Sequence, residues 1–281
     1  MTVSVVLDIP GVSAGRKYVR HFLATLLTMS GFSIAISVSA EELMIAVASN
    51  FTAPMREIAQ SFEDQSTHKV RLAFGSSGKL YAQINHGAPF QAFFSADQEK
   101  PFRLVEEGLA DAKSRFTYAQ GKLALWSRKP GFVDNQGKVL AGDDYNKLAI
   151  ANPKLAPYGA AAVQVLESLN LVQTSRARWV QGENIAQTYQ FVATGNADLG
   201  LVAQSQISRD GQTSRGSAWL VPEDLYAPVR QDAVQLTNSP AMDAFWQYMK
   251  GPEAQAIIRR FGYDVSTHRA TIEPQSSQNN K

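Results

Sequence analysis

Phe74-Gly75-Ser76-Ser77-Gly78-Lys79-Leu80 brings glycine, two hydroxyls and a lysine together in seven residues. The run Lys69 to Phe74 reads as a strand, and Leu80 and Ile84 restart apolar spacing at a helical period. The segment is therefore strand, tight turn, helix start. Glycine admits a ligand close to the backbone, serine supplies a hydroxyl donor, and the first N–H groups of a helix lack internal partners, so the turn suits an anion. On local grounds such a serine-rich turn is most often an ordinary N-cap. Two catalytic motifs fail against the letters. A phosphate loop requires glycine where Ala73 stands and a hydroxyl where Leu80 stands, and a hydrolase elbow requires a second glycine where Lys79 stands.

The elements around this turn repeat its plan. Leu43 to Ala48 is a continuous apolar run, as for a strand buried on both faces, and it leads through Ser49-Asn50 into a helix carrying Met55, Ile58, Ala59 and Phe62. Ala92 to Asp97 reads as a third strand and cap, with Asp97 as a helix cap rather than a base. Lys122 to Trp126 is a further strand, and Lys129 to Asp144 is a loop or crossing region. Leu148 to Ala151 leads through a two-proline turn to Tyr158-Gly159 and a helix, Arg178 to Gln181 through Gly182-Glu183-Asn184 to another starting at Ile185, and Asp198 to Ala203 is again a strand. Ala233 to Leu236 and two C-terminal helices close the chain. The alternation predicts an α/β fold with parallel strands.

At the N-terminus, Arg16, Lys17, Arg20 and His21 precede an apolar run from Phe22 to Val38, with small residues Val38 and Ala40 at −3 and −1 before Glu41-Glu42. This predicts a cleavable secretory signal over residues 1–40, with cleavage after Ala40 and residues 1–15 as an extra leader. An uncleaved anchor is the alternative, since about 17 apolar residues lie at the short end of a membrane span. The 281 residues carry a formal net charge of +2 with no run of like charge, which gives no electrostatic footprint for nucleic acid. The chain has no cysteine, which excludes disulfides, thiolate metal sites and a cysteine nucleophile. His68 and His86 have no second histidine at ligand spacing, and Lys79 reads as a solvated lysine on an exposed helix face.

Six segments in order, Ala48 to Phe51, Phe74 to Gly78, Phe94 to Gln98, Asn152 to Gly159, Gly182 to Ile185 and Lys250 to Ala254, resemble the periplasmic molybdate-binding proteins of ABC importers. The resemblance runs from about Glu42 to about Val265. It implies a type II periplasmic binding protein fold: two lobes, each a mainly parallel sheet flanked by helices, with the ligand cleft between them. The expected partition is 41–123 plus 228–268 for lobe 1, 124–227 for lobe 2, and a disordered tail over 269–281. The resemblance also implies oxyanion ligands: Ser49 and Ser77 through hydroxyl and backbone, Asn50 through backbone, and Tyr158 and Ile185 through backbone N–H groups. Molybdate or tungstate is then the cargo and permease subunits the partner, for a monomeric periplasmic protein without cofactor or catalysis. Other readings are a binding protein for sulfate, phosphate or a ferric complex, a sensor or adhesin built on the same fold, and a serine hydrolase, for which no base and orienting acid are evident. Three positions depart from the family pattern. Ala203 stands where some members place a tyrosine that completes the oxygen shell, Gln91 replaces an aspartate, and Gly78 replaces a hydroxyl residue.

Overall fold

The computed structural model describes residues 40–213 and 215–265. Residues 1–39 and 266–281, which hold all but Ala40 of the expected signal over 1–40 and the whole expected tail over 269–281, lie outside the described residues. In chain order the first half reads β1 (Glu42–Ala48), α1 (Thr52–Gln65), β2 (Lys69–Gly75), α2 (Ser77–Asn85), β3 (Ala92–Phe94), α3 (Glu99–Glu106), β4 (Phe116–Gly121) and β5 (Leu123–Ser127). The chain continues with β6 (Leu148–Ala151), α4 (Pro157–Ser168), β7 (Trp179–Gly182), α5 (Ile185–Ala193) and β8 (Leu199–Ala203). A one-turn helix (Gln204–Ile207), the hairpin β9 (Ser208–Arg209) and β10 (Gln212–Thr213), β11 (Ser217–Leu220), β12 (Val229–Gln235), α6 (Pro240–Lys250) and α7 (Pro252–Arg260) follow.

Two five-stranded sheets result, ordered β2-β1-β3-β12-β4 and β11-β5-β8-β6-β7. In the first, β1 pairs parallel with β2 and β3, while β12 runs antiparallel between β3 and β4. In the second, β6 pairs parallel with β7 and β8, while β5 runs antiparallel between β8 and β11. Each sheet thus has one reversed strand among otherwise parallel ones, the α/β plan expected. The chain passes between sheets twice, directly from β4 to β5 at Gly121 and back from β11 to β12.

Parallel strands buried on both faces need helices on both sides. One face of the first sheet packs Leu43, Ile45 and Val47 against Met55, Ile58, Phe62 and Phe245, and the other packs Ala46 and Phe93 against Leu80, Ile84 and Leu104. The second sheet does the same with Leu148, Ile150 and Leu201 against Val165 and Leu166, and Ala149 and Val202 against Val192. Four strands, β4, β9, β10 and β11, are additions to the sequence reading, and β12 begins four residues before Ala233. The Lys129 to Asp144 stretch is a loop with one short 3-10 turn, and the passage between sheets lies elsewhere.

Candidate functional site

Three strand-to-helix junctions and two strand-to-turn junctions converge on one small cavity. Its walls are Ala48, Ser49 and Asn50 at the end of β1, Gly75, Ser76 and Ser77 at the end of β2, Ala96 after β3, Ala156, Pro157 and Tyr158 at the start of α4, and Ile185 at the start of α5. All five residues expected as ligands, Ser49, Asn50, Ser77, Tyr158 and Ile185, are brought together there. The first three belong to the first sheet's bank and the last two to the second's. The cavity's volume is about 10 Å³, room for about one water and far below the roughly 300–1,000 Å³ of sites for drug-sized molecules.

Each junction leaves donors free for local reasons. At α2 the cap is Ser76, not Ser77: the Lys79 N–H donates to Ser76 Oγ at 3.4 Å. Ser77 is thereby the first helical residue, with an N–H that has no partner inside the helix. Its Oγ accepts the Ala96 N–H at 2.9 Å. A hydroxyl that accepts still has its proton to donate. At α5 the Asn184 Oδ1 accepts the Gln187 N–H at 3.0 Å, so Ile185 opens the helix. At α4 Pro157 occupies the first turn, where its missing N–H costs nothing, and Tyr158 follows. Ser49 opens a 3-10 turn, and its carbonyl, not its hydroxyl, bonds Thr52 Oγ1 at 2.8 Å.

The wall contains no Arg, Lys, His, Asp or Glu side chain. Lys79, two residues beyond Ser77, is half exposed and paired with Glu183 at 3.0 Å, so it is partnered rather than simply solvated. What the wall offers is backbone N–H groups, hydroxyls and the positive ends of helix dipoles, which together suit an anion bound without a counter-charge. Among the described residues no group of three or more His, Cys, Asp or Glu side chains could hold a metal ion.

The Tyr158 hydroxyl is engaged by a residue outside the cavity wall. It accepts from Gln231 Nε2 at 3.2 Å within a buried polar cluster of Asn50, Tyr118, Gln231, Tyr263 and Ser205. Asn50 Nδ2 donates to Gln231 Oε1 at 2.8 Å and to Tyr263 Oη at 2.9 Å, and the Asn50 carbonyl accepts from Ser205 Oγ at 3.1 Å and Tyr263 Oη at 2.9 Å. Burial pushes the Tyr118 and Tyr158 hydroxyls well above the ordinary tyrosine value and Tyr263 up to about 12. The sequence reading missed this cluster. Gln231 and Asp232 look like surface residues in the string Val-Arg-Gln-Asp, yet both are buried.

The departures from the family pattern resolve structurally. Ala203 is fully buried in β8 and is not part of the cavity wall. Gln91 Oε1 accepts the Met44 N–H at 2.8 Å and Nε2 donates to Glu41 at 3.0 Å, joining strand edges. The Gly78 N–H donates to the Leu155 carbonyl at 2.9 Å, so the two banks touch, and a Cβ on Gly78 would lie 3.1 Å from Leu155 backbone atoms. Asp97 Oδ1 accepts the Lys100 N–H at 3.1 Å, the capping role expected.

Comparison with known proteins adds to this geometry. Residues 43–264 match the model of a family described as bacterial extracellular solute-binding protein. The chain is 54% identical over 235 residues to the molybdate-binding protein ModA of Azotobacter vinelandii, covering 83% of this chain and 93% of the relative. It is 48% identical over 234 residues to ModA of Rhodobacter capsulatus, covering 82% and 91%. The solved structure of the Azotobacter vinelandii periplasmic molybdate-binding protein superposes with a TM-score of 0.77 at 44% identity, covering 80% of this chain and all of that one.

Proposed function

Since the chain belongs to the bacterial extracellular solute-binding proteins, in the branch of the molybdate-binding proteins, we propose that it captures molybdate or tungstate between its two sheets and delivers it to an ABC importer. The observation that carries the reading is the uncharged cavity: helix and turn starts from both sheets meet around one small space with no Arg, Lys, His, Asp or Glu side chain in its wall. Ser49, Asn50 and Ser77 hold the oxyanion from one side, and the Tyr158 and Ile185 N–H groups from the other. A fully ionised dianion needs only donors, whereas protonated phosphate needs an acceptor as well. Sulfate carries the same charge and shape as molybdate, so its rejection depends on size.

A site formed by both banks is complete only when they meet, so ligand favours the closed arrangement, and the permease subunits read that arrangement. Residues 1–40 act as a cleavable export signal that places the protein in the periplasm, lobe 1 spans 41–123 plus 228–268, and lobe 2 spans 124–227. The protein works as a monomeric carrier, without a cofactor and without catalysing a reaction. Calorimetric titration of the purified protein with molybdate, tungstate, sulfate and phosphate tests the reading. Tight binding of the first two with little response to the others is expected. A preference for sulfate or phosphate would overturn the ligand assignment and leave the family intact.

A further inference from the structure

Gln231 touches a ligand-bearing residue on each bank of the cavity, as Tyr263 does beside it. Its Oε1 accepts from Asn50 Nδ2 at 2.8 Å and from Tyr118 Oη at 2.9 Å, and its Nε2 donates to Tyr158 Oη at 3.2 Å. It is 0% exposed. Three hydrogen bonds made away from water are costly to leave unmade, so the amide has a strongly preferred position. The packing leaves little slack as well. A Cβ built on Gly121, where β4 crosses into β5, would lie 1.9 Å from Tyr158 Oη and 2.6 Å from Gln231 Nε2.

We infer that Gln231 is a positioning residue that sets the spacing of the two donor banks and so the size of oxyanion the site prefers. The inference rests on the oxyanion reading above and goes beyond it, because Gln231 is not in the cavity wall. Anions of equal charge and shape are told apart by the distance between opposed donors. Asn50 supplies a donor from the first bank and Tyr158 from the second, and the same two residues are tied through one amide behind the pocket. Held at fixed length, this tie prevents the banks from closing onto a smaller dianion.

The test compares wild type, Gln231→Leu and Tyr158→Phe by titration with molybdate and by competition with sulfate, with thermal unfolding alongside. Tyr158→Phe removes the far end of the tie and keeps the backbone N–H. Both variants are expected to lose about tenfold of the molybdate-over-sulfate preference, equivalent to about 1.4 kcal/mol. A lower melting temperature with both anions weakened equally, and the ratio unchanged, is what a purely structural role gives and would overturn the inference. Should Gln231→Leu fail to fold, the ratio in Tyr158→Phe decides. A wild-type protein that binds no molybdate removes the functional reading and this inference together, whereas wild-type binding with unchanged ratios in the variants removes only the role of Gln231.

Discussion

Lys79 and Glu183 meet at 3.0 Å, joining the helix that begins at Ser77 to the turn that precedes Ile185. Their side chains are 51% and 45% exposed. An ion pair so open to water is worth about 0.2–1 kcal/mol and weakens with salt. The two partners differ in what they leave behind. Lys79→Ala strands a carboxylate two residues from a ligand residue, and Glu183→Ala strands a cation that steers anions toward it. Lys79→Ala is therefore expected to weaken oxyanion affinity by up to about fivefold at low salt, and Glu183→Ala by less, with a faster association rate. Stopped-flow binding at low and high ionic strength checks both. An effect of Lys79→Ala that persists at high salt would mean the lysine contacts the ligand itself.

The adjacent serines separate capping from binding. Ser76 accepts the Lys79 N–H and caps α2, so Ser76→Ala should cost about 0.5–2 kcal/mol of stability. Ser77 is first in the helix and lines the cavity with a hydroxyl whose proton is free. Ser77→Ala should weaken binding by about 1–3 kcal/mol through a lost charge-assisted bond. It also leaves the Ala96 N–H without its acceptor, so unfolding must be measured beside affinity. Calorimetry on Ser77→Ala under conditions where it remains folded decides the point, and an affinity equal to wild type would move the site elsewhere.

The buried tyrosine cluster makes the fold sensitive to alkali. Burial raises the Tyr263 hydroxyl to about 12, and Tyr118 and Tyr158 move the same way. A tyrosine whose folded value lies above its unfolded value of about 10 keeps its proton longer in the folded chain. Its contribution is fully present below pH 10 and is lost as pH rises from there through about 12. For Tyr263 alone that interval corresponds to about 3 kcal/mol. Urea unfolding from pH 8 to 11 should show a plateau followed by a fall, and the fall should be shallower in Tyr263→Phe. Stability that stays level through pH 11 would show that these hydroxyls are solvated.

Local signals made much of the architecture and the oxyanion reading legible in the sequence. Leu43 to Ala48 and Leu148 to Ala151 announce doubly buried strands because every residue is apolar, and Ser76-Ser77-Gly78 and Asn184-Ile185 announce helix starts through capping chemistry. The residues behind the site were hidden for the opposite reason. Gln231 and Asp232 are polar and buried, made tolerable by partners more than a hundred residues away: Asn50 and Tyr118 for the amide, Thr117 and Arg115 for the carboxylate. Hydropathy records neither long-range partner. β4 escaped similarly, since its Thr117 and Tyr118 hydroxyls bond Asp232 and Gln231 rather than water. The Tyr158 side chain gave no sign of its direction, because an aromatic after proline at a helix start fits a cleft and a core equally well.

Gly121 is where that hidden cluster becomes testable by one methyl group. It ends β4, two residues before β5 begins at Leu123, and it pairs with Val229 on β12. A side chain there meets the Tyr158 hydroxyl at 1.9 Å, far inside contact distance, with Gln231 Nε2 next at 2.6 Å. Gly121→Ala must therefore push Tyr158 or Gln231 off its hydrogen bonds. Overpacking of this kind costs about 1–3 kcal/mol, and buried polar groups left unpaired add about 1–3 kcal/mol each. The displacement bears directly on the start of α4, whose Tyr158 N–H is a ligand donor in the reading above. Gly121→Ala should accordingly lose stability and molybdate affinity together, whereas Gly87→Ala should cost stability alone, since Gly87 has a positive φ and nothing near its Cβ position. Parallel melting and titration of the two variants separates a residue that shapes the site from one that only permits a turn. Equal affinities in both would show that Tyr158 can shift without moving its backbone.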